Sequence, residues 1–326
     1  MKKEWNNTMR ISVLVPVYGV ERYIEECAVS LFEQTYQNLE YVFVDDCSPD
    51  NSVRILQNVA ERYDNRKSQI KIVHHEYNRG LGAARATALD ASSGDFVVAV
   101  DSDDKLAIDA IETLCRLQQT TGADIVEGTL CRFNENGVFK RQQPYHGTKE
   151  NLLKLMLLQN TVSHNLAGRL VRRSIYIDND INSVEGVNMA EDYAVTPRLI
   201  YCGSHAYTDE DIYFYRDNTN SSFYESITPR HIASLLKANA IVYQFFQEHD
   251  VQGVYQLPLE ISMLNTYSQS IRNGIGRKEV DRICNYRPSS LYVRLFRLFF
   301  GHCPRLMRFS YLSIKWLYKK QISSKN

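Results

Sequence analysis

The first third of the chain alternates short apolar runs with stretches of helical period, and few folds satisfy that alternation. The runs are Ile11–Val15, Leu39–Val44, Ile70–His74 and Phe96–Val100. Each is too short for an ordinary helix, so each reads as a strand. Helical patterns stand between them. Ile24, Ala28 and Leu31 share one stripe ending near Gln34, and Val53, Leu56, Val59 and Ala60 share another, which Asp50 or Asn51 could cap. A small-residue helix, GLGAARATALDA, follows the third run. Beyond the fourth, the pattern predicts a helix over 108–121 and a strand over 124–128. Such alternation predicts an α/β chain with a mainly parallel sheet and crossover helices.

In open α/β sheets ligands gather beyond the carboxyl ends of the strands. The segments at those ends are PVYG (16–19), DDCS (45–48), EYNRGLGAAR (76–85) and DSDD (101–104). They direct an aromatic ring, two acidic patches and a basic side chain at one crevice. Crowded carboxylates raise one another's pKa unless a cation or hydrogen bonds offset the repulsion. Hard oxygen ligands suit Mg²⁺ or Mn²⁺, which bind through one or two carboxylates plus substrate phosphates. A metal diphosphate is therefore the partner these residues request. GLGAAR imitates the dinucleotide-binding G-x-G-x-x-G, but Arg85 stands at the third glycine and the segment does not follow the first strand. A close-packed helix start with a basic residue for phosphate explains it. Plainer readings stand beside these: Asp45 and Asp46 as loop caps, Tyr18 as a packing residue, DSDD as a solvated turn.

Lys plus Arg and Asp plus Glu both number 38 in 326 residues, which leaves no overall footprint for nucleic acid. The balance conceals an asymmetry. From Arg287 onward there are nine Lys and Arg and no Asp or Glu, against 29 and 38 in the remainder. The seven cysteines are scattered and form no C-x-x-C pair, as expected of reduced thiols in a cytosol rather than a disulfide frame or zinc site. The first residues do not read as a signal peptide, and no run reaches the ~20 apolar residues of a spanning helix.

After Leu130 the pattern loosens. Residues 151–158 and 189–201 read as helices, and AYTDEDIYFYRD alternates like a strand returning to a sheet edge. Helical period resumes at Pro229, with one helix through Ile232, Leu235, Leu236 and 241–246 and another over 257–271.

SVLVPVYGVERYIEEC, SLFEQTYQNLEYVFVDDCSPDNS, NRGLGAAR, GDFVVAVDSDD and MAEDY occur in an order that resembles the family 2 glycosyltransferases, across about Ile11 to Tyr224. The resemblance implies the nucleotide-sugar-binding GT-A fold, a Rossmann-like, mixed but mainly parallel sheet flanked by helices. It implies a GT-A domain over 1–225, with a donor half over about 10–130 and an acceptor half over about 131–225. A helical extension (226–286) and a basic amphipathic tail (287–326) follow. Pro16 and Tyr18 match positions that pack the nucleotide base, and Asp45 and Asp46 lie at the donor, Asp46 where a carboxylate meets a uracil ring. Arg85 matches a basic position near the donor. Asp101 to Asp103 matches the family's D-x-D, with Asp101 near the ribose and Asp103 on a divalent metal, Mn²⁺ or Mg²⁺. Asp192 matches the catalytic base of inverting members, with Glu191 on the acceptor side. The implied partners are a nucleotide-sugar, most simply a UDP-sugar, and a glycan or lipid-linked glycan acceptor. The chain departs from the family's usual pattern at Gly19, Ala86 and Ala88, and Arg169 stands where many relatives have lysine.

Two other readings are weighed. A nucleotidyltransferase would carry a Gly-rich phosphate loop with a lysine after the first strand, and PVYGVERY has neither. A catalytically silent nucleotide-sugar-binding module would not need Asp101, Asp103 and Asp192 intact. The tail interleaves basic residues with Leu, Phe, Tyr and Trp316, a composition suited to an anionic membrane surface. The expected location is the cytoplasm, peripheral to the inner face of the membrane.

Overall fold

The computed structural model describes residues 8–158, 162–217, 228–275, 277–284, 294, 312–318 and 320. In chain order the elements are β1 (Ile11–Val17), α1 (Ile24–Phe32), β2 (Leu39–Asp45), α2 (Ser52–Ala60), β3 (Ile70–His74), α3 (Leu81–Asp90), β4 (Phe96–Ala99), β5 (Lys105–Leu106), α4 (Ala110–Thr121), β6 (Ile125–Asn134) and β7 (Gly137–Gln142). They continue with α5 (Lys149–Leu157), β8 (Leu170–Arg172), α6 (Arg173–Asp178), α7 (Glu191–Cys202), β9 (His205–Arg216), α8 (Pro229–His249), α9 (Gln256–Arg272) and α10 (Arg277–Cys284). Two compact units result. One comprises the described residues within Met1–Pro144, Asn165–Gly186 and Cys202–Glu225, the other those within Tyr145–His164, Val187–Tyr201 and Ser226–Asn326.

The first unit is built on a sheet of order β3-β2-β1-β4-β8-β6-β9-β5, with β7 paired to β6. β3, β2, β1 and β4 are parallel, as the alternation predicts. β8 then enters antiparallel to β4 and β6, and β9 runs parallel to β6, so the sheet is mixed. Every residue of β1 is buried, because β2 and β4 flank it and helices pack on its faces. Ile11, Val13, Val15 and Val17 share a core cluster with Ile24, Ala28 and Leu31 of α1 and Leu114 of α4. Each of the Ile, Val and Leu side chains contributes about 1.5–3 kcal/mol by leaving water. α3 packs on β1 and β2 with Gly82, Ala83, Ala84 and Ala88 buried, and these small residues let its backbone come close. Gly80 precedes it at φ 88°, a conformation that a Cβ would disfavour.

Two expectations differ from the structure. The strand predicted over 124–128 extends to Asn134 and turns into the β6–β7 hairpin. β7 is exposed over nearly its whole length, so no apolar alternation announced it. β9 is not the outermost strand: β5, two residues that follow the acidic turn, pairs along its far side.

In the second unit α8 begins with a capping box in which the Thr228 side chain accepts from His231 N–H, with Pro229 in the first turn. α8 packs on α9 and α10, and α5 packs on α9. Leu155, Leu158 and Ile261 form a core that Ile314 and Tyr318 extend. Of the tail expected from Arg287, all but residues 294, 312–318 and 320 lies outside the described residues. Among the described residues no helix is long and apolar enough to cross a membrane.

Candidate functional site

Three loops meet at the carboxyl ends of β1 and β2. β1 delivers a buried Pro16 in register with Val44, then an exposed Tyr18 and Gly19 at φ 66°. The next three amides are taken by the loop after β2: Gly19 N–H donates to Ser48 Oγ (2.8 Å), Val20 N–H to Ser52 Oγ (2.9 Å) and Glu21 N–H to Asp50 Oδ2 (2.9 Å). Asp50 also accepts from Ser52 N–H at 3.0 Å. Burial raises its pKa, but these hydrogen bonds outweigh that and hold it low. Of the two capping candidates, Asp50 rather than the Asn51 side chain serves the start of α2.

Asp45 closes β2, accepting from Ser48 N–H at 2.8 Å while its other oxygen lies 3.0 Å from His74 Nδ1. Asp46 is 3% exposed. Its Oδ1 accepts from Arg79 N–H (2.8 Å) and lies 2.7 Å from His75 Nδ1, and its Oδ2 accepts from Gly80 N–H (2.7 Å). His75 Nε2 in turn lies 2.9 Å from Thr87 Oγ1 on α3. One buried carboxylate thus fixes the entire bend from β3 into α3. Between these acids and Ser48, Cys47 adopts φ 58° and is exposed.

The third cluster follows β4. Arg85, buried in α3, donates to Asp101 Oδ1 at 2.8 Å. Asp104 is 1% exposed, accepting from Tyr213 O–H (2.7 Å) and from Arg216 N–H (2.7 Å). Asp103 differs from both. Among the described residues its carboxylate has no hydrogen-bond partner beyond its own amide. Burial, and then the charge of Asp101, push it up to about 6. Burial followed by the charges of Asp103 and Asp101 raises Asp104 well above the usual carboxylate range.

Pro16, Tyr18, Asp45, Asp46, Arg85, Asp101 and Asp103 therefore collect along the carboxyl edge of β1, β2 and β4. Glu191 and Asp192 belong to the second unit, where they open α7, half-buried. The segment leading to them is held from α8, with Met189 N–H donating to Ser234 Oγ and Ser234 O–H donating to Met189 O, both at 2.9 Å. Ala190 sits at φ 62° immediately before Glu191.

Sequence reasoning missed Tyr213, Arg216 and His75, whose roles depend on strand pairing and on a bend. No three His, Cys, Asp or Glu side chains among the described residues form a metal cage by themselves. A partly buried carboxylate with no other described residue as hydrogen-bond partner nevertheless fits a divalent ion that draws its other ligands from diphosphate oxygens and water. Asp103 meets that requirement, and Asp45, Asp46 and Asp104 do not, since hydrogen bonds already engage them.

The family model described as glycosyl transferase family 2 matches residues 12–179. The chain is 43% identical over 131 residues to glycosyltransferase GlyA of Streptococcus pneumoniae, covering 40% of this chain and 18% of that protein. It is 29% identical over 286 residues to the putative glycosyltransferase EpsH of Bacillus subtilis, covering 81% and 79%. The crystal structure of S. aureus TarS 1-349 in complex with UDP-GlcNAc superposes with a TM-score of 0.60 at 20% identity, covering 96% of this chain and 92% of that one. The alignment with GlyA thus spans under a fifth of that relative's length. The expected GT-A architecture is borne out by the mixed, helix-flanked sheet and its likeness to TarS.

Proposed function

Because the chain belongs to glycosyl transferase family 2, we propose that it is a metal-dependent, inverting glycosyltransferase moving a sugar from a UDP-sugar to a hydroxyl of a surface polysaccharide or related glycan. The observation that carries this reading is the Asp103 carboxylate, partly buried beside an Arg85–Asp101 ion pair and, among the described residues, with no other residue as hydrogen-bond partner. The likeness to TarS, solved with UDP-GlcNAc, supports a nucleotide-sugar donor.

In this mechanism Pro16 and Tyr18 pack the base, and Asp45 and Asp46 shape the loops around it, Asp46 through the Arg79 and Gly80 amides. Asp101 takes the ribose side, kept in place by Arg85. Asp103 would hold Mn²⁺ or Mg²⁺, which when bound would supply Lewis-acid stabilisation of the departing diphosphate. A sugar hydroxyl is a poor nucleophile at neutral pH, so Asp192 takes its proton as the new bond forms. Glu191 stands at the acceptor side. Attack opposite the leaving group inverts the anomeric centre.

The acceptor in this reading is a glycan or lipid-linked glycan at the inner face of the membrane, approached through the basic tail. Residues 312–318 are helical and expose Leu312, Trp316 and Leu317, with Lys320 Nζ 5.4 Å from the Trp316 ring centroid. Exposed apolar groups beside cations suit an anionic interface. Deleting the chain from Arg287 should abolish sedimentation with anionic vesicles; unchanged sedimentation would remove the membrane from this reading.

Thermal unfolding with UDP, GDP, dTDP or CDP, each with and without Mn²⁺ or Mg²⁺, tests the donor assignment. A ligand at a hundred times its dissociation constant adds about 2.7 kcal/mol. A metal-dependent rise in Tm with UDP alone is expected. For the base, Asp192→Asn should retain the fold and UDP affinity while losing transfer, and transfer at the parental rate would overturn the assignment.

A further inference from the structure

We propose that Tyr213 and Arg216 of β9 are positioning residues that set the metal affinity of the Asp101–Asp104 turn. The inference rests on the reading of Asp103 as a metal ligand and adds a source of control from a strand late in the chain. Asp104 N–H donates to Asp101 O at 3.0 Å, which closes the turn. The Tyr213 hydroxyl then bridges its two ends, donating to Asp104 Oδ2 at 2.7 Å and accepting from Asp101 N–H at 3.1 Å. Arg216 completes the hold. Its backbone N–H donates to Asp104 Oδ1 at 2.7 Å and its Nε to Asp103 O at 2.7 Å.

The bonding has a selective result. Both oxygens of Asp104, the amide of Asp101 and the carbonyl of Asp103 are all engaged by β9, and the Asp103 carboxylate is not. Asp104 is thereby withdrawn as a competing ligand, and Asp103 is presented on a turn tied to β9 at Asp101, Asp103 and Asp104.

β9 is itself well anchored. Its pairing with β5, Lys105 to Phe214 and Leu106 to Tyr213, continues the turn directly into the sheet. Gly168, at φ 78°, passes so close that a Cβ there would lie 2.8 Å from Tyr213 Cβ, so the Tyr213 ring has its seat only because that residue is glycine. The Arg216 guanidinium lies 4.5 Å from the Phe133 ring centroid and 5.0 Å from that of Tyr23, and it pairs with Glu26. Partners that orient a metal-binding group rather than touch the metal typically account for roughly 10- to 100-fold in affinity.

The test is Mn²⁺ binding to the full-length protein followed by electron paramagnetic resonance in the presence of UDP, with UDP affinity in EDTA measured in parallel. Tyr213→Phe keeps the ring and removes the bridge. It should weaken Mn²⁺ binding roughly 10- to 100-fold while metal-free UDP affinity stays within about twofold of the parent. Arg216→Gln should do the same, and it carries the test if Tyr213→Phe does not fold. Arg216→Lys, which keeps the charge, should recover part of the loss. Asp103→Asn separates the two levels of the claim. If it abolishes Mn²⁺ binding while Tyr213→Phe and Arg216→Gln bind at parental affinity, the positioning role is overturned and the metal reading stands. Parental Mn²⁺ affinity in Asp103→Asn would overturn the metal reading and this inference with it.

Discussion

The strands on either side of β1 both end in acids, yet the molecule treats those acids in opposite ways. After β2, Asp46 is buried and spends both oxygens on the Arg79 and Gly80 amides and on His75. After β4, Asp104 is spent in the same manner on Tyr213 and Arg216, and Asp103 beside it is not. An acid whose lone pairs are filled by amides is a building element, because moving it leaves buried donors unpaired. An acid in a half-buried place without such partners keeps its charge available for a cation. A third acid sharpens the contrast. Burial pushes the Glu127 carboxyl up, but Arg169 and His205 more than offset it and bring it to about 2, whereas Asp103 is held at about 6. Burial raises both; Glu127 is hydrogen-bonded to and charge-paired with Arg169 and His205, whereas Asp103 also feels the repulsion of Asp101, which the more distant charge of Arg216 only partly offsets.

The largest effect should therefore come from Asp103→Asn. With an isosteric side chain the fold should persist while sugar transfer falls by roughly 10²–10³-fold, the usual scale for losing one charge-stabilising group. Transfer assays over a Mn²⁺ series will show this: the Mn²⁺ needed for half-maximal transfer should rise, and a loss with unchanged Mn²⁺ dependence would assign it to another step. Glu127→Gln comes next, read through pH. Glu127 has a folded pKa of about 2, below its ordinary value of 4.5. Its contribution is thus complete above about pH 4.5 and is lost as pH falls toward 2, amounting to at most about 3 kcal/mol. Wild-type Tm should decline across that window, and Glu127→Gln, less stable at pH 7, should show a flatter curve there. Parallel curves would mean that Arg169 and His205 do not hold this acid in the charged form.

These distinctions are only partly legible in the sequence. The parallel core was readable because buried strands and amphipathic helices leave periods of different length in the apolar pattern, and those four runs became β1, β2, β3 and β4. The strand-end residues of the site followed from that topology. β7 left no such trace, since an exposed strand carries no apolar alternation. The second unit draws on Tyr145–His164, Val187–Tyr201 and the region from Ser226, stretches far apart in sequence with no shift in composition to link them. The fates of Asp46, Asp103 and Asp104 were equally hidden. They depend on the Arg79 and Gly80 amides and on Tyr213 and Arg216, as many as 113 residues away. Spacing along the chain reports which acids stand together, and the folded backbone decides which of them are already satisfied.

Smaller changes around β2 test the building role by itself. Asp46→Asn leaves at least one buried N–H facing another donor, which costs about 1–3 kcal/mol and should loosen the bend from His75 to Gly80. Asp45 faces an exposed His74, and such pairs are worth about 0–1 kcal/mol, so Asp45→Asn should shift Tm far less. Equal losses would erase the difference between the two acids. Cys47 lies between them and Ser48 at φ 58°, where a Cβ costs about 1–2 kcal/mol and glycine does not. Glycine recovers only part of this, because it also gives the unfolded chain more freedom. Cys47→Gly should therefore raise Tm by no more than a few degrees, with UDP affinity unchanged. A fall in Tm would mean that the thiol makes a contact worth more than the backbone strain it imposes.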